Sequence, residues 1–412
     1  MRKNFYVIIF LFLFFKWSHL MSFADTNVLP GIDVFLKKYV SEYKGKKIAL
    51  ITNPTGMTSD LKSTIDALYE LKDPKLIKLF GPEHGLRGNY TAGEHVDDNK
   101  DNKTGVPIYS LYGKNRKPSK EMLKDVDVIF YDIQDIGIRP YTYIYTMAYA
   151  MEAAAENNIE FVVLDRPIPM NGNLVDGNIL EPEFSSFIGL YPIPYVYGMT
   201  VGELARFFNE EFKINCKLRV IKMEGYSHNM EYKDTGLLWI PPSPHIPRWE
   251  TSYYCATTGG IGELGTLSEG VGYTLPFELI GSDSIDGDKL AAELNSRNLE
   301  GVFFRPLSFK PYYGRFKGKS CSGVQIIITD TKKFLPYTVQ INIIDAIQKL
   351  YPEKNFFKID KTGSKDMFEK AMGTAKIRKY LKDKVPLNKF IEEYKKDLKK
   401  FKEKRKKYLL YD

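Results

Sequence analysis

Five short apolar runs in the first half of the chain, at residues 47–52, 76–80, 127–133, 161–165 and 218–223, are separated by stretches with helical period. Those stretches cover 61–71, led by Ser59 or Asp60, then 142–157 and 200–212. Such alternation leaves few folds open. Strands joined through helices pair in parallel with right-handed crossovers, which predicts an α/β, Rossmann-like, doubly wound and mostly parallel sheet. Ligands of open sheets bind outside the carboxyl ends of the strands, so the residues after each run are the first candidates for a site.

Four strand ends carry polar sets: Asn53-Pro54-Thr55-Gly56; Glu83-His84-Gly85-Leu86-Arg87; Asp132, Gln134, Asp135 and Arg139; and Asp165-Arg166-Pro167. The second lies within Gly81-Pro82-Glu83-His84-Gly85-Leu86-Arg87-Gly88, which sets an acid, an imidazole and a guanidinium among glycines and a proline. That composition suits presentation of side chains to a ligand better than core packing. Any single set is ordinary loop polarity. Convergence of four on one crevice is what points to function.

A length of 412 residues, 43% of them hydrophobic and 27% charged, suffices for two cores. The alternation breaks between 237 and 265, where 239–249 holds four prolines and two tryptophans before glycines accumulate. This reads as structured, non-repetitive chain containing a domain boundary. The expected division is a signal peptide over 1–24, a Rossmann-like catalytic domain over 25–250, and a smaller α+β C-terminal domain over 251–412 that completes the cleft. Within the last, a strand is expected at 323–329 and a helix at 337–350.

Arg2 and Lys3, eleven apolar residues over 5–15, and Ser22-Phe23-Ala24 form an export signal too short for a comfortable membrane span. The expected location is periplasmic or extracellular, with no stable membrane span after signal removal. Three widely spaced cysteines, Cys216, Cys255 and Cys321, rule out a disulfide framework, and none has zinc-site spacing. The net charge of +8 is concentrated near the C-terminus, where 378–408 carries fourteen Lys or Arg. Phe390, Ile391, Tyr394, Leu398 and Phe401 give that stretch one apolar helix face. The pattern describes a surface helix whose lysines are suited to attraction toward anionic envelope polymers. No nucleic-acid motif is present.

Among chemical motifs, Gly260-Ile-Gly-Glu-Leu-Gly265 matches a dinucleotide fingerprint but does not sit between a strand and a helical period. No G-x-S-x-G elbow occurs. His84, His95, Asp97 and Asp98 lie across a glycine-rich loop without metal-ligand spacing, so neither a metal nor a cofactor is expected. Carboxylates remain. Glycosidic cleavage needs a general acid at the leaving oxygen and a second group at the anomeric carbon. Glu83 suits the first role; Asp132, Asp135, Asp165 and Glu269 are alternatives for the second.

The segments Gly81–Gly88, Val106-Pro-Ile-Tyr-Ser-Leu-Tyr-Gly113, Asp132-Ile-Gln-Asp-Ile-Gly-Ile-Arg139 with Tyr141-Thr-Tyr-Ile144, Leu164-Asp-Arg-Pro167, Tyr197-Gly-Met-Thr-Val-Gly-Glu-Leu204, Ser268-Glu-Gly270, Pro276-Phe-Glu278 and Cys321-Ser-Gly-Val324 resemble the exo-acting β-N-acetylmuramidases. The resemblance spans essentially the whole chain after the signal. It implies a Rossmann-like domain plus a smaller one, a cleft between them, and release of N-acetylmuramic acid from non-reducing ends of peptidoglycan fragments, which would be the partners. By that resemblance Glu83 is the catalytic acid, and His84, Arg87, Gln134 and Arg139 would line the pocket; Asn53, Asp132 and Arg166 from the strand ends and Glu269 from the carboxylate candidates complete the expected substrate-binding set. The chain departs from the family pattern Glu-Gly-Arg-Gly-Thr-Thr-Arg-Pro-Phe-Glu at Val271 and Leu275, where both arginines are replaced. A carboxylate on the sugar would then need another cation, such as Arg248. The rival expectations are a non-catalytic saccharide-binding protein of the same fold and a hydrolase of another amino sugar or ester.

Overall fold

The computed structural model describes residues 28–86, 99–113, 115–357 and 365–412. The expected signal peptide over 1–24, and Arg87, His95, Asp97 and Asp98, lie outside the described residues.

The main sheet holds β1 (Lys47–Thr52), β2 (Lys75–Gly81), β3 (Asn99–Lys100), β4 (Pro107–Ser110), β5 (Val128–Asp132) and β6 (Glu160–Leu164). After a hairpin of β7 (Asp176–Ile179) and β8 (Pro194–Val196) it is completed by β9 (Lys217–Ile221). The order is β3-β4-β2-β1-β5-β6-β9, parallel throughout except for β3 at the edge. Chain order runs outward in both directions from β1 and β5. The topological switch point, where crevices form, therefore lies at the carboxyl ends of that pair.

Helices α1 (Gly31–Lys38) and α2 (Thr64–Glu70) cover one face, and α3 (Tyr143–Glu156) and α4 (Val201–Glu211) the other. Ile48 and Leu50 of β1 pack with Ile32, Phe35 and Leu68; Ala49 and Ile51, pointing the opposite way, join the cluster of Tyr143, Met147 and Leu204. Both faces are buried, so these strands read as unbroken apolar runs instead of alternating ones. Helix α4 is started by a capping box in which Thr200 and Glu203 bond each other's backbone N–H. Helix α2 starts three residues later than the sequence pattern predicts. Leu61 is left-handed at φ 64°, and Thr58 Oγ1 accepts from Lys62 N at 2.9 Å, so a turn occupies the expected first residues.

Beyond the proline-rich segment, α5 (Thr251–Gly262) was not expected as a helix. Its glycines and threonines hide the pattern, yet Thr257 Oγ1 bonds the Tyr253 carbonyl one turn back at 2.8 Å, and Gly260 admits Gln340, which a Cβ would meet at 2.4 Å. The dinucleotide-like glycines thus belong to the end of a buried helix. Strands β10 (Leu279–Ser282), β11 (Val302–Phe309) and β12 (Cys321–Ile328) form an antiparallel sheet in the order β10-β12-β11. Helices α6 (Gly287–Asn295) and α7 (Pro336–Leu350) pack against it or its neighbours.

Helices α8 (Lys365–Met372), α9 (Lys376–Lys382) and α10 (Leu387–Arg405) then carry the chain back to the first sheet. The apolar face of α10, including Phe390, Tyr394, Leu398 and Phe401, is buried, while most of its lysines point outward. Arg405 donates to the Gly172 carbonyl at 2.8 Å, and Tyr411 donates to Asp165 at 2.6 Å. All three cysteines are buried and free.

Candidate active site

At the end of β2, the Gly85 amide donates to the Pro82 carbonyl at 2.9 Å and closes a turn over Glu83 and His84. His84 occupies the third position with φ 67°, a left-handed conformation that costs an L-residue with a Cβ roughly 1–2 kcal/mol. Gly81 permits the turn to fold back, since a Cβ there would meet the Leu86 amide at 2.9 Å. The half-buried Glu83 accepts a hydrogen bond from Thr142 Oγ1 at 2.8 Å, at the start of α3. Among the described residues no cation pairs with it.

Around this carboxylate the switch-point loops supply a scaffold. Asn53 Oδ1 accepts from the Thr55 amide at 2.9 Å and from its hydroxyl at 2.5 Å, forming a local Asx turn. Thr55 Oγ1 in turn accepts from the Gln134 amide at 2.8 Å, tying the ends of β1 and β5 together. Asn53 Nδ2 and Tyr143 Oη both donate to the Pro242 carbonyl, at 3.4 and 2.6 Å. The proline-rich segment is thereby strapped beside Glu83, and its own loop is closed by Trp239 Nε1 on the Ile246 carbonyl at 3.1 Å. The Tyr143 hydroxyl is pushed far up, by burial first, with the Glu83 charge adding.

The strap also brings in His245. Burial, and then the charge of His84, hold its imidazole below the usual histidine range. His245 Nε2 shares a 2.9 Å hydrogen bond with the Tyr313 hydroxyl from the C-terminal unit, and the two rings stack at 6.3 Å. The structure therefore assembles Glu83, His84, Thr142, Tyr143, the 242–245 strap and Tyr313 from both halves of the chain.

Several expected binding residues lie elsewhere in role. Asp132 is fully buried and held by a bidentate pair with Arg166, Nε to Oδ1 at 2.5 Å and Nη2 to Oδ2 at 2.9 Å, with Thr64 donating to it as well. Arg166 also donates to the Met57 carbonyl at 2.7 Å, so both groups brace loops. Gln134 is buried, its amide donating to the Asp135 and Pro167 carbonyls at 2.9 and 2.6 Å. Arg139 has no exposed surface; it donates to the carbonyls of Asn178, Ile193 and Ala371 at 2.8, 3.0 and 3.2 Å. These contacts make it a strut between the main domain and α8. Two further carboxylates are committed: Asp135 accepts from Tyr197 and the Gly137 amide, and Asp165 from Thr200, Gly202 and Tyr411. Burial pushes each of them up to about 6.

Glu269 is half-buried against α5, at a place where a Cβ on Gly262 would meet its Cδ at 2.9 Å. Burial raises its pKa, with Arg315 opposing. Leu275 packs beside Leu279 and Phe309. Arg248 is engaged by Glu278, so it is not an idle cation for a ligand. Arg315 is exposed, donates to the Gly262 carbonyl at the end of α5, and is the cation whose charge reaches Glu269. The contributions of Thr142, Tyr143, His245 and Tyr313 were not foreseen. Thr142 and Tyr143 lie within the Tyr141–Ile144 segment already singled out, but nothing in sequence pairs position 245 with 313.

Residues 48–250 match the N-terminal domain family of exo-β-N-acetylmuramidase NamZ, and 253–411 match its C-terminal domain family. The peptidoglycan β-N-acetylmuramidase NamZ of Bacillus subtilis (strain 168) is 50% identical over 385 residues, covering 93% of this chain and 92% of the relative. The crystal structure of a DUF1343 family protein from Bacteroides fragilis superposes with a TM-score of 0.90 at 43% identity, over 94% of this chain and 100% of that one. A second DUF1343 structure from the same organism gives 0.72 at 31% identity, over 93% and 99%. With both halves matched in order and half of the residues identical to that relative, the chain belongs to the exo-β-N-acetylmuramidase family of glycoside hydrolases.

Proposed function

We propose that this chain is an exported enzyme of cell-wall turnover that removes N-acetylmuramic acid from the non-reducing ends of peptidoglycan fragments, with Glu83 as the general acid. The observation that carries the proposal is the Glu83 carboxyl itself. It stands on a strained turn at the carboxyl end of β2, beside the switch-point loops, bonded among the described residues to one hydroxyl, while Asp132, Asp135 and Asp165 are spent in buried contacts. A carboxyl so placed can give its proton to the glycosidic oxygen as the bond to the anomeric carbon breaks, leaving a carboxylate that then takes a proton from the water whose oxygen bonds to the anomeric carbon. Thr142 orients the group, and Tyr143, its hydroxyl held by the Pro242 carbonyl, keeps its own proton in place. His84 and Asn53 shape the same wall. The outward lysines of α10 supply attraction to anionic envelope polymers, screened within about 8 Å at physiological salt.

The test uses the chain from residue 25 onward with chromogenic β-N-acetylmuramide and β-N-acetylglucosaminide. Turnover of the muramide is expected, and Glu83→Gln should lower it by about 10²–10⁴ with unchanged thermal stability. A Glu83→Gln enzyme as fast as its parent would remove Glu83 from the mechanism. N-terminal sequencing of protein recovered outside the cytoplasm, starting near Asp25, checks export.

A further inference from the structure

The C-terminal unit carries an open cavity of about 770 Å³ whose lining includes Tyr273, Tyr312, Lys310, Lys317 and Ser320. Its volume falls within the range of small-molecule and saccharide sites. Tyr312 is 66% exposed, an unusual state for a large ring, and it stacks on Tyr273 with centroids 6.0 Å apart and planes 21° from parallel. The loop bearing it is held in place: the Tyr312 amide donates to the Gly272 carbonyl at 2.7 Å, and the Gly318 amide to the Pro311 carbonyl at 2.9 Å. Gly272, at φ 96°, is needed for that approach, because a Cβ would lie 2.2 Å from the Tyr313 carbonyl. Charge in the lining is one-sided. Asp283 is neutralised by Lys319 at 2.8 Å, whereas Lys310 and Lys317 are exposed and no ion pair engages them among the described residues.

The next residue along this loop is Tyr313, which bonds His245 beside the Glu83 turn. One short loop therefore reaches from the reaction centre to the cavity. We infer that the cavity binds the leaving-group side of a peptidoglycan fragment, a sugar ring lying on Tyr312 and stem-peptide carboxylates pairing with Lys310 and Lys317. The inference rests on the proposed function, since an exo-acting enzyme holds only the terminal sugar at its acid and everything else of the substrate must lie beyond the scissile bond. A rigid, exposed aromatic face suits the C–H surface of a pyranose. Two ammonium groups that no ion pair engages among the described residues suit carboxylates and discriminate against a neutral chitin-like aglycone.

The experiment compares kcat/KM for a stem-peptide-bearing peptidoglycan fragment with that for the chromogenic β-N-acetylmuramide. In Tyr312→Ala and in the double variant Lys310→Ser, Lys317→Ser, the ratio of fragment to chromogenic substrate should fall about 10-fold, through KM and not kcat. An unchanged ratio overturns the inference, whether both rates hold or both fall together. A parent protein that turns over neither substrate defeats the proposed function instead. Calorimetry with the same fragment then decides the cavity separately: affinity weakened about 10-fold in Tyr312→Ala supports it, and equal affinity overturns it.

Discussion

The end of β2 and the ends of β5 and β6 carry the same kinds of residue, an acid and an arginine, but the folded chain uses them oppositely. After β2, Glu83 rises on a turn whose third residue, His84, is left-handed, and among the described residues its carboxylate meets only the Thr142 hydroxyl. After β5 and β6, Asp132 and Arg166 find each other 34 positions apart, close two bonds and lose nearly all exposure. Charge at a strand's carboxyl end is therefore insufficient to mark a catalytic group. Among the described residues, what separates the two is whether the fold offers an internal counter-charge. A paired and buried group gives up the access that chemistry needs, and becomes a brace.

The strongest way to break this comparison is to take one member from the buried pair. Removing a partner leaves an uncompensated charge in a low-dielectric site, so Asp132→Asn and Arg166→Met should each cost on the order of 3–5 kcal/mol in unfolding free energy. Because the pair also holds Met57 and Thr64, thermal melts should shift far more than for Glu83→Gln. If Arg166→Met folds with parental stability yet loses substrate affinity, the arginine is a ligand contact and the contrast collapses.

A smaller effect should follow pH. Asp135, mostly through burial, is pushed up to about 6 from an ordinary value of 3.8. The folded chain therefore holds this proton more tightly than the unfolded chain does. The sign follows: the stabilising contribution is full below about 4, declines as pH rises through 6, and is absent above it, with a span on the order of 3 kcal/mol at most. In urea melts at a series of pH values, Asp135→Asn should lack this component, so the stability difference between variant and parent changes between pH 4 and 7. A constant difference would show that Asp135 titrates normally.

Much of the frame was legible before any coordinates. The parallel strands announce themselves because both faces of the sheet are covered, as Ile48 and Ala49 show in adjacent positions. The Glu83 loop was legible for a local reason, its charges set among glycines. Helix α5 was not, since Thr257, Gly260 and Gly262 give it no periodic stripe and are explained only by what packs against them. The burial of Asp132, Arg166 and Arg139 depends on partners dozens to hundreds of residues distant, such as the Ala371 carbonyl that receives Arg139. For the same reason the contact of His245 with Tyr313, 68 positions away, carries no signal in either segment.

The smallest effect is also the sharpest probe of the open strand end. His84 holds φ 67° beside the acid, a conformation glycine adopts freely and an L-residue resists by roughly 1–2 kcal/mol. Replacing it separates strain from side chain. His84→Gly removes the strain but loosens the unfolded chain, for a net gain of about 0–1 kcal/mol; His84→Ala keeps the strain and should be no more stable than the parent. If the turn is held in this shape so that Glu83 and the imidazole face the substrate, both variants lose turnover, and the glycine variant loses it while melting at the same temperature or higher. Stability rising as activity falls is the signature of a turn retained for chemistry. Full turnover in both variants would make the left-handed residue an accident of the loop, and Glu83 alone would distinguish this strand end from the buried one.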